Sequence, residues 1–177
     1  MQNNPTQLKP EHLLCAAGGL LVGAWWIKNK TEEAAKSRAE RDDPDAVTAT
    51  CEEIGEVLDE WEPESFESED DFVFDLGAYL DNESSCEIEV MPGIAGTKPD
   101  VLVDDLLALE VKVSPNKAEL DRCVGQCAGY SRRWVTWIIL IDTPASKIGW
   151  LENLLADKHL DHILVWSFPD LRFDEVR

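Results

Sequence analysis

Apolar positions along this chain follow two rhythms, and the change from one to the other marks its elements. Residues 46–61 place Val47, Cys51, Ile54, Val57, Leu58 and Trp61 at the spacing of one helical face. Residues 69–81 do the same with Phe72, Val73, Leu76, Tyr79 and Leu80. Residues 86–91 alternate apolar and polar, which predicts a strand. Two apolar runs, 101–103 and 106–113, are separated by Asp104-Asp105 and predict a hairpin. Pro115 opens a predicted helix to about residue 133, with Leu120, Val124, Cys127 and Ala128 on its apolar face. The nearly continuous apolar run 135–141 predicts a strand covered on both faces. Ser146 is expected to cap a helix running to about residue 158, with Ile148, Leu151, Leu154 and Leu155 inward. Residues 162–168 predict a last strand. From residue 69 the order is helix, three strands, helix, strand, helix, strand. That is an α/β layer fold with a mixed sheet, a hairpin first and crossover units after it.

Ahead of this core the pattern is different. Residues 1–12 are polar and contain two prolines. Residues 13–27 carry no charge, and as a helix they span about 22 Å. A hydrocarbon core is about 30 Å thick, so the stretch is short for a crossing. Trp25-Trp26 followed by Lys28 and Lys30 matches an interfacial belt beside a positive cytoplasmic flank. The expectation is an N-terminal hydrophobic helix within residues 1–30 that anchors the chain to the cytoplasmic face of a membrane. The competing reading is a buried or interfacial helix of a cytoplasmic protein. Residues 31–68 read as a charged helical linker, broken at Asp42-Asp43-Pro44-Asp45, and residues 169–177 as a loose tail.

The chemistry concentrates in the hairpin. Glu110 and Lys112 are two apart on a strand and so share a face. If an odd number of residues forms the turn, such as 104–106, Asp100 lies opposite Glu110 and joins that face. A two-residue turn puts the carboxylates on opposite faces. The odd register separates apolar from polar side chains cleanly and is preferred. Two adjacent carboxylates repel unless a cation sits between them, and a hard divalent ion takes carboxylate oxygens. The plain alternative is a surface hairpin with an exposed Glu110–Lys112 pair of little energetic consequence.

Charge changes the picture of the surface. The chain of 177 residues has a formal net charge of -20 and a pI of about 4.3. Residues 1–41 hold six Lys/Arg and four Asp/Glu, and residues 42–93 hold nineteen acids and no base. Residues 98–177 hold ten bases and thirteen acids, close to neutral. A pI this low lacks the basic footprint of a conventional nucleic-acid binder. A halophilic, high-salt cytoplasm accounts for it, because at about 1 M salt screening acts within about 3 Å. An acidic interaction segment is the rival account. Five cysteines, an odd number without a CxxC pair, argue against a disulfide framework or zinc site and for a reducing compartment.

With the Asp and the Glu-x-Lys on the second and third strands, this order resembles the PD-(D/E)xK nuclease superfamily. That is the restriction-endonuclease-like fold of restriction enzymes, Holliday-junction resolvases and RecB-type nuclease domains. Pro99-Asp100 matches the PD and Glu110-Val111-Lys112 the (D/E)xK. Gln126-Cys127-Ala128-Gly129-Tyr130 matches the QxxxY element of the RecB-like branch, its two polar residues sharing a helix face. The resemblance covers about residues 69–168. It implies Asp100 and Glu110 as metal ligands, the Val111 carbonyl completing the set, and Lys112 as the catalytic lysine. It implies Gln126 and Tyr130 as residues that support the site and contact substrate. It also implies an acid on the first helix: Glu69 by its offset from Phe72, Leu76 and Leu80, with Asp70 and Asp75 as rivals and Glu87 or Glu89 as substitutes. Arg132 and Arg133 are candidates for phosphate contact, or for stabilising the negative end of their helix. The implied cofactor is magnesium or manganese and the implied substrate DNA, with RNA not excluded; a homodimer is expected for two-strand cutting. The expected function is a divalent-metal-dependent DNA endonuclease. The alternatives are a catalytically inactive nucleic-acid-binding or regulatory module on the same fold, and an anchored scaffold whose residues 31–70 bind a partner.

Overall fold

The computed structural model describes residues 43–63, 68–90 and 98–168. The expected anchor at 13–27, the helix at 31–41, the loop at 92–97 and the tail from 169 lie outside them. Among the described residues, no helix is long and apolar enough to cross a membrane.

Four helices and five strands make up these residues, in a mixed α/β arrangement. They are α1 (Pro44–Glu60), α2 (Glu69–Glu83), β1 (Ile88–Val90), β2 (Val101–Val103), β3 (Leu107–Val113), α3 (Lys117–Tyr130), β4 (Val135–Ile141), α4 (Ala145–Asp157) and β5 (Leu164–Phe168). The strands form one sheet in sequence order. β1, β2 and β3 are antiparallel neighbours, while β3, β4 and β5 run parallel. The parallel steps are made by the two crossover helices α3 and α4, the connection that parallel neighbours require.

The sheet has a core on each face. On one, α1 and α2 cover Val101, Val103, Leu107, Leu109, Val111, Trp137 and Ile139. On the other, α3 and α4 cover Leu102, Ala108, Ile138 and Leu140. Every side chain of β4 is buried, as its continuous apolar run requires. Burying each such aliphatic side chain contributes about 1.5–3 kcal/mol. α1 belongs to this core: Val47, Cys51, Ile54, Leu58 and Trp61 are all buried in it. The expectation that residues 31–68 form a linker therefore fails over α1, whose apolar face packs inward instead of lying free.

Helix ends are set by local chemistry. Asp43 caps α1 and Pro44 occupies its first turn, so these residues start a helix; whether they also end one over 31–41 lies outside the described residues. Ser68 and Asp71 close a reciprocal capping box on α2. α3 starts at Lys117, not Pro115. Asn116 accepts from the Ala118 and Glu119 N–H groups, and Glu119 reaches back to the Asn116 N–H. α3 stops at Tyr130, and α4 begins after Pro144 without a side-chain cap, so Ser146 does not serve as one.

The β2–β3 hairpin takes the odd register, with Val101 opposite Leu109 and Val103 opposite Leu107. Asp104 and Asp105 both adopt positive φ, 51° and 50°, a conformation Asp tolerates better than most side chains. Asp104 also ties distant parts together. Its carboxylate accepts from the Thr50 hydroxyl of α1 and from the Glu87 N–H ahead of β1.

Candidate active site

The site lies where β2 parts from β3. Asp100 still gives its N–H to the Leu109 carbonyl, but the next rung is not made by backbone. The Asp100 carboxylate takes that place and accepts the Val111 N–H at 2.8 Å. The Val111 carbonyl, on the same edge of β3, accepts from Lys112 Nζ at 2.5 Å. Splitting the sheet at this point thus exposes one strand edge to side chains instead of to a neighbouring strand.

Lys112 Nζ stands among three carboxylates. It is 2.8 Å from Glu69 Oε1, 3.2 Å from Glu110 Oε1 and 3.8 Å from Asp100 Oδ2. The Glu110 side chain is 2% exposed and that of Asp100 18%, while Glu69 is 42% exposed at the rim. Three acids against one ammonium leave the cluster short of positive charge. Burial pushes the Glu110 carboxyl up to about 7, and the neighbouring Asp100 adds to this while Lys112 opposes it. Burial also raises Asp100, against the pull of Lys112 and the Val111 N–H. Burial alone would lower Lys112, but Glu110, Asp100 and Glu69 outweigh it and hold the ammonium above its ordinary range.

Glu110 Oε2 is buried without a hydrogen-bond partner. An unpaired buried carboxylate oxygen is costly and calls for an explanation. A hard cation supplies one. Asp100, Glu110 and the Val111 carbonyl offer the oxygen donors such an ion takes, so the residues fit it. Among the described residues, no three His, Cys, Asp or Glu side chains already converge on one metal position; here the carboxylates are spread around the ammonium.

The remaining candidates separate. Glu69, expected among the metal ligands, gives one oxygen to Lys112 and the other to the Val113 N–H at 3.4 Å. Of its rivals, Asp75 accepts from the Trp61 indole. Glu87 is engaged through its backbone with Asp104, and Glu89 is exposed opposite Leu102. Gln126 has a buried, unpartnered Oε1 and bonds the Tyr130 hydroxyl. Tyr130 is buried and donates to the Lys98 carbonyl at 2.6 Å. This ties α3 to the segment that presents Asp100 and gives Tyr130 a positioning part. No sequence signal joins residues 98 and 130. Arg133 pairs with Asp105 in the hairpin turn at 3.2 Å and lies over the Trp134 ring. It is thus held at the other end of the hairpin from Asp100, and the structure does not bring it to the acid–lysine cluster. Arg132 sits beside it, exposed, its N–H bonded to Gly129.

Fold and site together define the class: a mixed-sheet α/β protein with an acid–acid–lysine cluster at a split in the sheet. Comparison with protein-family models, with curated proteins and with solved structures finds no match to the chain.

Proposed function

We propose that this chain is a divalent-metal-dependent DNA endonuclease with a restriction-endonuclease-like core of the PD-(D/E)xK type. One observation carries the reading: Asp100 and Glu110 meet beside Lys112, with a buried Glu110 oxygen left unpaired. A bound magnesium or manganese ion supplies neutralisation of the phosphodiester and a more acidic water. Asp100, Glu110 and the Val111 carbonyl hold it. Lys112 orients the attacking water and faces the negative charge that builds on the phosphoryl oxygens. Glu69 pairs with Lys112, and Tyr130 fixes the chain leading into Asp100.

The full chain should nick or cut DNA when magnesium is added and not in chelator. Asp100→Ala and Lys112→Ala each bring the rate below about one hundredth of wild type. Cleavage that survives in both variants places the chemistry elsewhere. Metal-independent DNA binding without cleavage favours the inactive module, a reading supported by Lys112 filling the cluster.

A further inference from the structure

The position of Lys112 goes beyond its part in the proposed chemistry, although the inference rests on that reading. Its Nζ lies within 4 Å of an oxygen of all three acids and bonds the Val111 carbonyl. Of these, the oxygens of Asp100, Glu110 and Val111 are the ones a divalent ion would take. A cation of +2 and an ammonium cannot share so small a buried space without strong repulsion. We infer that Lys112 is a built-in stand-in for the metal: it fills the cation position in the metal-free protein and is displaced when the ion binds.

Glu69 provides the route. Its contact with Nζ is the shortest of the three carboxylates, and it is the most exposed of them. The pair can move toward solvent together, so the ammonium keeps a partner as it leaves Glu110. Glu69 is on this account the positioning partner of the lysine, not a metal ligand. Metal-free protein is thereby kept from burying bare carboxylates, and its site is closed to weakly held ions. Affinity for the ion is reduced because Lys112 must first be moved.

Two measurements on the full chain test this. Manganese binding is titrated by calorimetry for wild type and Lys112→Met. Acylation of each lysine in the wild type is followed by mass spectrometry with and without magnesium, with exposed Lys117 and Lys158 as internal controls. The expected result is manganese affinity about tenfold or more tighter in Lys112→Met. Magnesium should also raise the acylation rate of Lys112 about tenfold while the controls stay constant. If both proteins bind manganese and Lys112 stays unreactive in saturating magnesium, the displacement is wrong while the metal site stands. A tighter variant with an unreactive Lys112 is mere relief of repulsion, and it overturns the inference too. If neither protein binds manganese, the nuclease reading falls along with it. Should Lys112→Met fail to fold, the acylation of wild type decides alone.

Discussion

Glu110 is where the electrostatics of the site become measurable. Its carboxyl titrates at about 7 in the folded chain against an ordinary 4.5. The fold favours the protonated form, so between those values folding takes up a proton. The contribution of this group is fully present below about pH 4.5, falls as pH rises toward 7, and is level above. Asp100 is raised as well and acts in the same direction. Lys112, held above its usual range, stays charged throughout and adds no slope. In chelator, the urea midpoint should therefore fall between pH 5 and 7, and Glu110→Gln should flatten that fall. A midpoint that rises over this interval contradicts the assignment. At this scale the sequence was informative about which groups meet. The choice of Glu69 over Asp70 and Asp75 followed from helical offset, and Glu69 does reach Lys112. What Glu69 does there was not legible, because its partner depends on where β3 ends relative to α2. The separation of Arg133 from the site was hidden for the same reason: Asp105 is 28 residues away along the chain.

Elements were legible where periodicity was strong and obscure where capping decided. The hairpin register followed from a single requirement, that apolar and polar side chains face opposite ways, and it put Asp100 beside Glu110. The start of α3 depended instead on Asn116 and Glu119 bonding each other's backbone. Helix α2 is seated on β1 through Gly77. A Cβ added there would run into Val90 Cγ2 on β1, the edge strand of the sheet. Gly77→Ala should destabilise the chain by about 1–3 kcal/mol, despite the better helix propensity of Ala. Thermal or urea unfolding checks it, and an unchanged or raised stability means that β1 yields freely. Because α2 also carries Glu69, the same variant should loosen the hold on Lys112.

For the molecule as a whole, charge is the dominant fact. A net charge of -20 on 177 residues opposes the compact state through self-repulsion. Raising salt from about 0.1 M to about 1 M shortens the screening length from about 10 Å to about 3 Å. The melting temperature should rise by on the order of 5 °C, a gain of roughly 2 kcal/mol. A melting temperature indifferent to potassium chloride would count against the high-salt reading of the composition. The three-layer architecture itself was readable from the order of rhythms, since strands that alternate with helices leave few topologies. The membership of α1 was not: its apolar face was legible, but nothing in the pattern said that this face packs onto the sheet of residues 88–168.

The two cores carry separate thiols. Cys51 is on the buried side of α1 on one face of the sheet, and Cys123 and Cys127 are on the buried side of α3 on the other, their sulfurs 3.9 Å apart. Cys86 is half-buried, and its thiol is pushed up to about 12 by burial and by its bond to Asp104, so it too is slow to react. In a Cys15→Ser chain, thiol reagents then become a pair of clocks, one for each side of the sheet. Equal labelling rates at Cys51 and Cys127 would mean that the molecule opens in one step. A faster clock at Cys127 would mean that the helix behind the carboxylates breathes while the far side stays shut.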